Sequence, residues 1–305
     1  MPGTIFAFDL RWSIELESLV DVSDDTTGAD VRVGWSMEDD RGLSEASAEL
    51  VWAGVVDDAI RLERDATGDY RFTYGDRAVF HVPASLDEVR CAPLDRRDAA
   101  WQRVLFDTVM LCVALLRGHR MLHGAAVASG GRVVAVVGQM GAGKSSVAAA
   151  LMHDGASFVT DDVVTLSIKS GDVLVAPGPA LMNVPSTQSA DELGTQIAVF
   201  PDGERWVQMR GKVEALLPLA ACVLLDRQEG NSPGVERTEA SPLVLLAHSI
   251  HLDDSPGAAA QRFELMSDIA ERVPVYRLVA DTQETPELIA RRLMSRLRAD
   301  GVLTG

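Results

Sequence analysis

A short stretch near the middle of the chain has the residue types and spacing of a phosphate-binding loop. Gly138-Gln139-Met140-Gly141-Ala142-Gly143-Lys144-Ser145 fits G-x-x-x-x-G-K-S/T at every fixed position. Glycines let such a loop curl so that its N–H groups point at phosphate oxygens, at the positive end of the following helix. Lys144 would bridge the β- and γ-phosphates, and Ser145 would place its hydroxyl on Mg²⁺. The pattern predicts a nucleotide site formed by Gly138, Gly141, Ala142, Gly143, Lys144, Ser145 and Ser146.

The segments on either side of this loop have the composition of the strand and the helix that must position it. An apolar run, Val133-Val134-Ala135-Val136-Val137, comes directly before the loop. Residues of high helix propensity follow it over 145–152. This order of strand, loop and helix is the one in which phosphate-binding loops occur.

Two predicted strands end in acidic residues that could bind the metal ion. The run 156–160 is followed by Asp161 and Asp162, and the run 220–225 is followed by Asp226. Ligands of open α/β folds collect at the carboxyl ends of the strands, so either end could present a carboxylate to Mg²⁺. The adjacent pair is the better candidate, because one carboxylate could bind the metal while the other serves as a base toward a hydroxyl.

Other polar residues give weaker signals. Arg205 lies in a polar, glycine-containing stretch and could fold over the phosphates as a clamp, although a hairpin tip is the favoured interpretation. Glu204 beside it is a second candidate metal ligand. His248 and His251 precede two aspartates and could form a second metal site, but the end of a helix is the favoured interpretation.

The remaining pattern divides the chain into a β-rich domain, 1–94, and an α/β domain, 95–305. Short alternating segments separated by turn residues predict an antiparallel meander with strands at 30–35, 48–55, 60–64, 69–74 and 77–82. Apolar residues at three- and four-residue intervals predict a helix over 95–120, at the domain boundary. Apolar runs then alternate with helical stretches, as α/β domains do. The polar, Gly- and Pro-containing segment 170–209 is expected to be irregular.

Composition and charge exclude several classes of function. The chain has 305 residues, 47% of them hydrophobic and 24% charged, with a net charge of −17. Such a balance, with no run of Lys or Arg, argues against nucleic-acid partners and anionic membranes. Three cysteines without a C-x-x-C pair indicate neither a zinc site nor a disulfide framework. No signal peptide or membrane-length apolar run is evident, so we expect a cytoplasmic protein.

The region 122–166 resembles the kinase domain of HPr kinase/phosphorylase and its relatives. Leu122-His123-Gly124-Ala125-Ala126-Val127-Ala128, then the phosphate loop, Gly155 and Asp161-Asp162-Val163-Val164 follow in the order of that family. The resemblance implies a P-loop kinase domain related to phosphoenolpyruvate carboxykinases, with ATP and Mg²⁺ as cofactors. It also implies γ-phosphate transfer to a serine-type hydroxyl of a peptide, protein or small molecule.

The same resemblance assigns roles to individual residues. Lys144 matches the loop lysine and Ser145 the metal-binding hydroxyl. The acidic pair matches the carboxylates that bind the metal and take the serine proton, with Asp162 the better match for the base and Asp161 next to it. His123 matches a strand histidine near the phosphates. Members of the family often assemble as oligomers, so the resemblance also allows a homo-oligomer.

Part of the family pattern is missing, and two other functions stay open. The Arg-Gly-Leu-Gly-Ile signature of the family is replaced by Met209-Arg210-Gly211-Lys212-Val213. The loop also resembles those of shikimate- and gluconate-type small-molecule kinases. A protein that binds ATP and responds to it without phosphotransfer is the alternative outside the enzymes. The N-K-x-D motif of GTPases is absent from the sequence.

Overall fold

Alternating apolar residues in the first part of the chain form an eight-stranded sheet. The computed structural model describes residues 3–20, 28–36, 48–53, 60–185, 193–230, 232–239 and 241–303. The strand order in this sheet is β1-β2-β3-β8-β7-β6-β5-β4. The strands are β1 (Gly3–Ala7), β2 (Leu10–Ile14), β3 (Val31–Trp35), β4 (Glu49–Ala53), β5 (Ile60–Arg64), β6 (Tyr70–Tyr74), β7 (Ala78–Val82) and β8 (Glu88–Pro93).

The five strands expected in this region form, but the sheet is not wholly antiparallel. Strand β3 pairs in parallel with both β2 and β8, whereas every other pairing in this sheet is antiparallel. Parallel neighbours need long connections. Residues 15–30 separate β2 from β3 in the sequence, and β4 to β7 lie between β3 and β8. Alternation along a single strand does not reveal which strands pair in parallel.

A continuous helix follows the sheet and belongs to the same compact unit, residues Met1–His119. It consists of α1 (Ala99–Val104), a π-helical turn (Leu105–Val109) and α2 (Met110–Leu116). The Gln102 side chain accepts a hydrogen bond from the Leu19 N–H at 2.8 Å, and the Trp101 and Trp35 rings lie 5.7 Å apart. These contacts join the helix to the rest of the first unit, which ends at His119.

This helix is also the one element of the described residues that is long and apolar enough to cross a membrane. The sequence shows no apolar run of this length, because Gln102, Arg103 and Asp107 interrupt the apolar residues of the helix. Trp101, Leu105 and Phe106 are fully buried. Such burial is that of a helix packed in a protein core.

The second unit, Arg120–Gly305, is a mixed α/β structure around a nine-stranded sheet. Its main path is β10-β9-β12-β13-β17-β20-β18; β11 and β19 pair with β9, and β10 also pairs with β17. These strands are β9 (Arg120–Ser129), β10 (Arg132–Gly138), β11 (Ser157–Thr160), β12 (Val163–Lys169), β13 (Asp172–Ala176), β17 (Leu217–Arg227), β18 (Gly234–Thr238), β19 (Ser249–Ile250) and β20 (Val275–Ala280). The helices are α3 (Lys144–His153), α4 (Pro242–Leu246), α5 (Pro256–Arg272) and α6 (Pro286–Ala299).

Strand β10 is buried on both faces, as its continuous apolar run predicts. Val134 and Val136 pack in one apolar cluster with residues of α3 and α6. Val133, Ala135 and Val137 pack in another with residues of α5. The end of β10 is therefore held rigidly between two cores.

The described parts of the segment 170–209, which are 170–185 and 193–209, are not irregular, contrary to expectation. It contains β13 and a separate antiparallel sheet of order β14-β16-β15, formed by β14 (Leu181–Val184), β15 (Gly194–Val199) and β16 (Arg205–Met209). Trp206, Val207 and Met209 are buried. Strands β14 to β16 are short, and the segments between them are rich in Gly, Pro and polar residues. The sequence pattern therefore does not indicate these strands.

Candidate functional site

The phosphate loop joins the end of β10 to the start of α3. Gly141 and Gly143 have φ of +77° and +93°, the left-handed region that favours glycine. At Gly138, glycine is needed for lack of space, because a Cβ there would lie 2.7 Å from the Leu225 carbonyl oxygen on β17. No side chain caps the start of α3, so its first N–H groups can bind an anion.

Lys144 lies beneath this loop. Its residue is only 6% exposed, and Nζ donates hydrogen bonds to the carbonyl oxygens of Gln139 at 2.9 Å and Gly138 at 3.2 Å. Burial lowers the pKa of Lys144, while the charges of Asp162 and Asp161 act in the opposite direction. The structure thus brings the acidic pair within electrostatic range of the loop lysine.

The acidic pair comes directly after β11. Strands β10 and β11 are both antiparallel to β9, so they run in the same direction and end at the same edge. The sheet is mixed there, because β9 runs antiparallel to both strands. Asp161 is half-buried and Asp162 is exposed. Asp162 has a φ of +61°, a conformation that costs a non-glycine residue about 1 kcal/mol or more.

His123 and Gly124 on β9 hold the backbone of Asp162. The Gly124 N–H and His123 Nδ1 each donate to the Asp162 carbonyl oxygen at 3.1 Å. Because a carbonyl only accepts, Nδ1 must carry the proton, and Nε2 is left as an acceptor in the neutral ring. Burial and the charge of Lys144 lower the pKa of His123 below its ordinary 6.5, which keeps the ring neutral near pH 7.

His248 also belongs to this site, which the sequence did not suggest. His248 follows α4 and precedes β19, whose two residues pair with β9. The His248 carbonyl oxygen accepts a hydrogen bond from the backbone N–H of His123 at 2.7 Å. Burial, with the charge of Lys144, lowers the pKa of His248. A strand of two residues leaves no periodic signal, so the sequence could not reveal this placement.

A cavity of about 490 Å³ opens over the loop. Its walls are formed by the phosphate loop, the end of β17, and α4 with the residues after it. They include Met140, Asp226, Arg227, Val244 and His248. The cavity size is within the range of small-molecule sites.

The structure distinguishes the two acidic strand ends. Asp226 forms an ion pair of 2.6 Å with Arg277 on β20 and accepts from Gln228 at 3.1 Å. Its charge is therefore already compensated, whereas Asp161 and Asp162 act on Lys144.

Three weaker candidates make contacts of their own in the structure. Arg205 donates to the Pro185 carbonyl at 3.1 Å. Glu204 lies in the turn before it, its N–H bonded to the Asp202 carboxylate. His251 forms an ion pair with Asp254 at 2.8 Å instead of joining His248. In the part of the chain that the structure describes, no group of three His, Cys, Asp or Glu side chains could hold a metal ion by itself.

The residues near the loop nevertheless fit Mg²⁺ bound together with phosphates. This cation usually takes one or two carboxylates plus phosphate oxygens and water, not an all-protein cage. Ser145, in the first turn of α3, and one carboxylate of the Asp161–Asp162 pair are the residues that would hold it.

Comparison with known proteins gives a distant structural relation. No family model and no curated protein matches the chain. Among solved structures, the Hpr(Ser) kinase/phosphatase from Coxiella burnetii matches 59% of this chain and 93% of its own, with 14% identity and a TM-score of 0.33.

Proposed function

We propose that this chain is an ATP- and Mg²⁺-dependent kinase that transfers the γ-phosphate to a serine-type hydroxyl. One observation carries the proposal: the buried amine of Lys144 lies in a complete phosphate loop and within electrostatic range of Asp161 and Asp162. A loop that only bound nucleotide would need the lysine, but it would not need two carboxylates at the same sheet edge.

The phosphate chain would lie on the loop. The N–H groups at the start of α3 and the amine of Lys144 bind its oxygens. Nζ now donates to two loop carbonyls, and it can exchange them for charged oxygens, which make stronger hydrogen bonds. When bound, Mg²⁺ would be held by Ser145 and a carboxylate of the pair and would reduce the charge on the phosphates.

Asp162 is the better placed base of the two carboxylates. It is exposed, whereas Asp161 is half-buried, and His123 and Gly124 hold its carbonyl. In the transfer step, the acceptor hydroxyl gives its proton to the Asp162 carboxylate while its oxygen bonds to the γ-phosphorus. The bond from that phosphorus to the β–γ bridging oxygen breaks, and ADP leaves with the electron pair.

The acceptor itself would be a serine-bearing peptide, protein or small molecule. The test is transfer of labelled γ-phosphate from Mg·ATP to free serine, serine-containing peptides, HPr and small hydroxylated metabolites. Lys144→Ala is the blank, and Lys169→Ala on β12 controls for the loss of a positive charge. We expect label on one acceptor class with the wild type and with Lys169→Ala, and none with Lys144→Ala.

Two other results would favour the alternatives. Label that appears only on small metabolites would indicate a small-molecule kinase of the shikimate or gluconate type. Tight ATP binding without label on any acceptor would contradict the kinase proposal and favour a protein that responds to ATP without phosphotransfer.

A further inference from the structure

Arg227 is the last residue of β17 and lies beside the phosphate loop. Strand β17 runs parallel to β10, with Leu225 opposite Gly138 at the first residue of the loop. Successive side chains of a strand point to opposite faces. Accordingly, Asp226 pairs with Arg277 and Arg227 lies on the other face, although both residues reach the wall of the cavity over the loop.

Three backbone carbonyls fix one edge of the Arg227 guanidinium. Nε donates to Asp281 O at 3.4 Å, and Nη2 donates to Thr282 O at 2.9 Å and Glu284 O at 2.7 Å. This turn is itself braced, because the Glu284 carboxylate binds Arg292 at 2.6 and 3.0 Å. The planar guanidinium is therefore oriented before any ligand arrives, which reduces the entropy lost on binding.

The opposite edge of the guanidinium faces the start of α3. A Cβ placed on Gly143 would lie 3.1 Å from Nη1, so this nitrogen lies against the N-cap of the helix that follows the loop. Within the described ranges, Nη1 donates no hydrogen bond to the protein, although it carries two N–H donors.

The charge of Arg227 has no carboxylate partner among the described residues. All of its acceptors are neutral carbonyls. The same holds for the hydrogen bonds of Lys144 on the other side of the loop. Because both side chains donate only to neutral carbonyls, an anionic phosphate in the cavity would accept stronger hydrogen bonds from them than these carbonyls do.

We infer that Arg227 is a phosphate-binding residue, which donates from Nη1 to the phosphate chain of a nucleotide on the loop. The inference rests on one part of the proposed function, nucleotide binding by the loop. It does not require phosphate transfer. Arginine suits this place because its remaining donors match phosphate oxygens in geometry as well as in charge.

Binding of Mg·AMP-PNP and of tripolyphosphate to the full chain, measured by calorimetry, tests the inference. Arg227→Gln should weaken both ligands about 10- to 100-fold, the loss expected for a charge-assisted hydrogen bond. The matched control is Arg272→Gln, which removes one positive charge from exposed α5 and should change affinity less than about twofold. A folded Arg227→Gln protein with wild-type affinity for both ligands would overturn the inference.

A second measurement uses the wild-type protein and covers the case in which Arg227→Gln does not fold. An arginine-selective dicarbonyl reagent, read by peptide mass spectrometry, should label Arg227 less when tripolyphosphate saturates the site, while Arg272 stays equally labelled. Equal labelling of Arg227 with and without tripolyphosphate would reject the role. Both measurements report ligand binding. A wild-type protein that binds Mg·AMP-PNP but transfers no phosphate would therefore refute the kinase proposal and leave the role of Arg227 standing.

Discussion

His123 and Asp162 are joined by a hydrogen bond from the imidazole Nδ1 to the backbone carbonyl oxygen, 3.1 Å long. The bond connects a strand of the sheet to the turn that carries the acidic pair. Since Asp162 has a φ of +61°, its backbone needs such support to keep the carboxylate at the edge where β10 and β11 end. His123 is thus a positioning residue for Asp162.

Substitution of His123 should lower the rate of transfer more than nucleotide binding. His123→Ala removes the donor to the Asp162 carbonyl, and losing such a supporting bond usually costs about 10- to 100-fold in activity. His123→Asn keeps an N–H donor near the place of Nδ1 and should retain more activity. Steady-state kinetics would separate the two effects, with a large change in kcat and a small one in KM for ATP. Equal kcat for His123→Ala and the wild type would contradict this role.

Gly143 should tolerate no side chain, for two reasons that can be separated. Gly143→Ala places a methyl group at a φ of +93° and 3.1 Å from Arg227 Nη1, so we expect loss of about 1 kcal/mol of stability and weaker Mg·ATP binding. Gly131→Ala, in the turn between β9 and β10, has a φ of +75° but open space around the new atom. Thermal unfolding should show a loss for both variants, and calorimetry a weaker affinity for Gly143→Ala alone. Unchanged affinity in Gly143→Ala would be inconsistent with the described loop.

The Glu284–Arg292 pair should make stability depend on pH in the acid range. The hydrogen bonds from Arg292 lower the pKa of Glu284 below its ordinary 4.5. A lowered carboxyl pKa stabilises the fold above pH 4.5, and the gain is lost as the pH falls through the folded-state pKa. Glu284→Gln should therefore cost about 1 kcal/mol near pH 7 and almost nothing near pH 2.

Urea unfolding at the two pH values measures this difference. Glu264→Gln is the control, because Glu264 is exposed on α5 and should show no such dependence. An equal loss for Glu284→Gln at both pH values would show that the ion pair is not the cause.

Local pattern was enough to predict much of the fold and part of the site. Strand β5 covers the predicted range 60–64, and α3 differs from its predicted range by one residue at each end. Strand β5 has a clear alternating pattern, and α3 consists of residues with high helix propensity. The phosphate loop, the acidic pair and His123 could be found because each lies in a recognisable short pattern.

The rest depends on pairings between distant segments. The sequence gives no sign that β3 lies between β2 and β8, nor that the two residues of β19 bring His248 to β9. Arg227 looks like an ordinary residue after an acidic strand end until the 281–284 turn is seen to hold its guanidinium. Arg205 carried a local signal, and the structure shows its guanidinium donating to the Pro185 carbonyl.

The most direct test of the proposed kinase compares the two acidic strand ends. Asp162→Asn and Asp226→Asn each remove one negative charge at the same sheet edge, but only the first removes the proposed base. Transfer of labelled γ-phosphate to the acceptor found in the panel should fall about 10²- to 10⁴-fold for Asp162→Asn, with Mg·AMP-PNP still bound, and should persist for Asp226→Asn. Full transfer by Asp162→Asn, or its loss in Asp226→Asn alone, would contradict the proposed site.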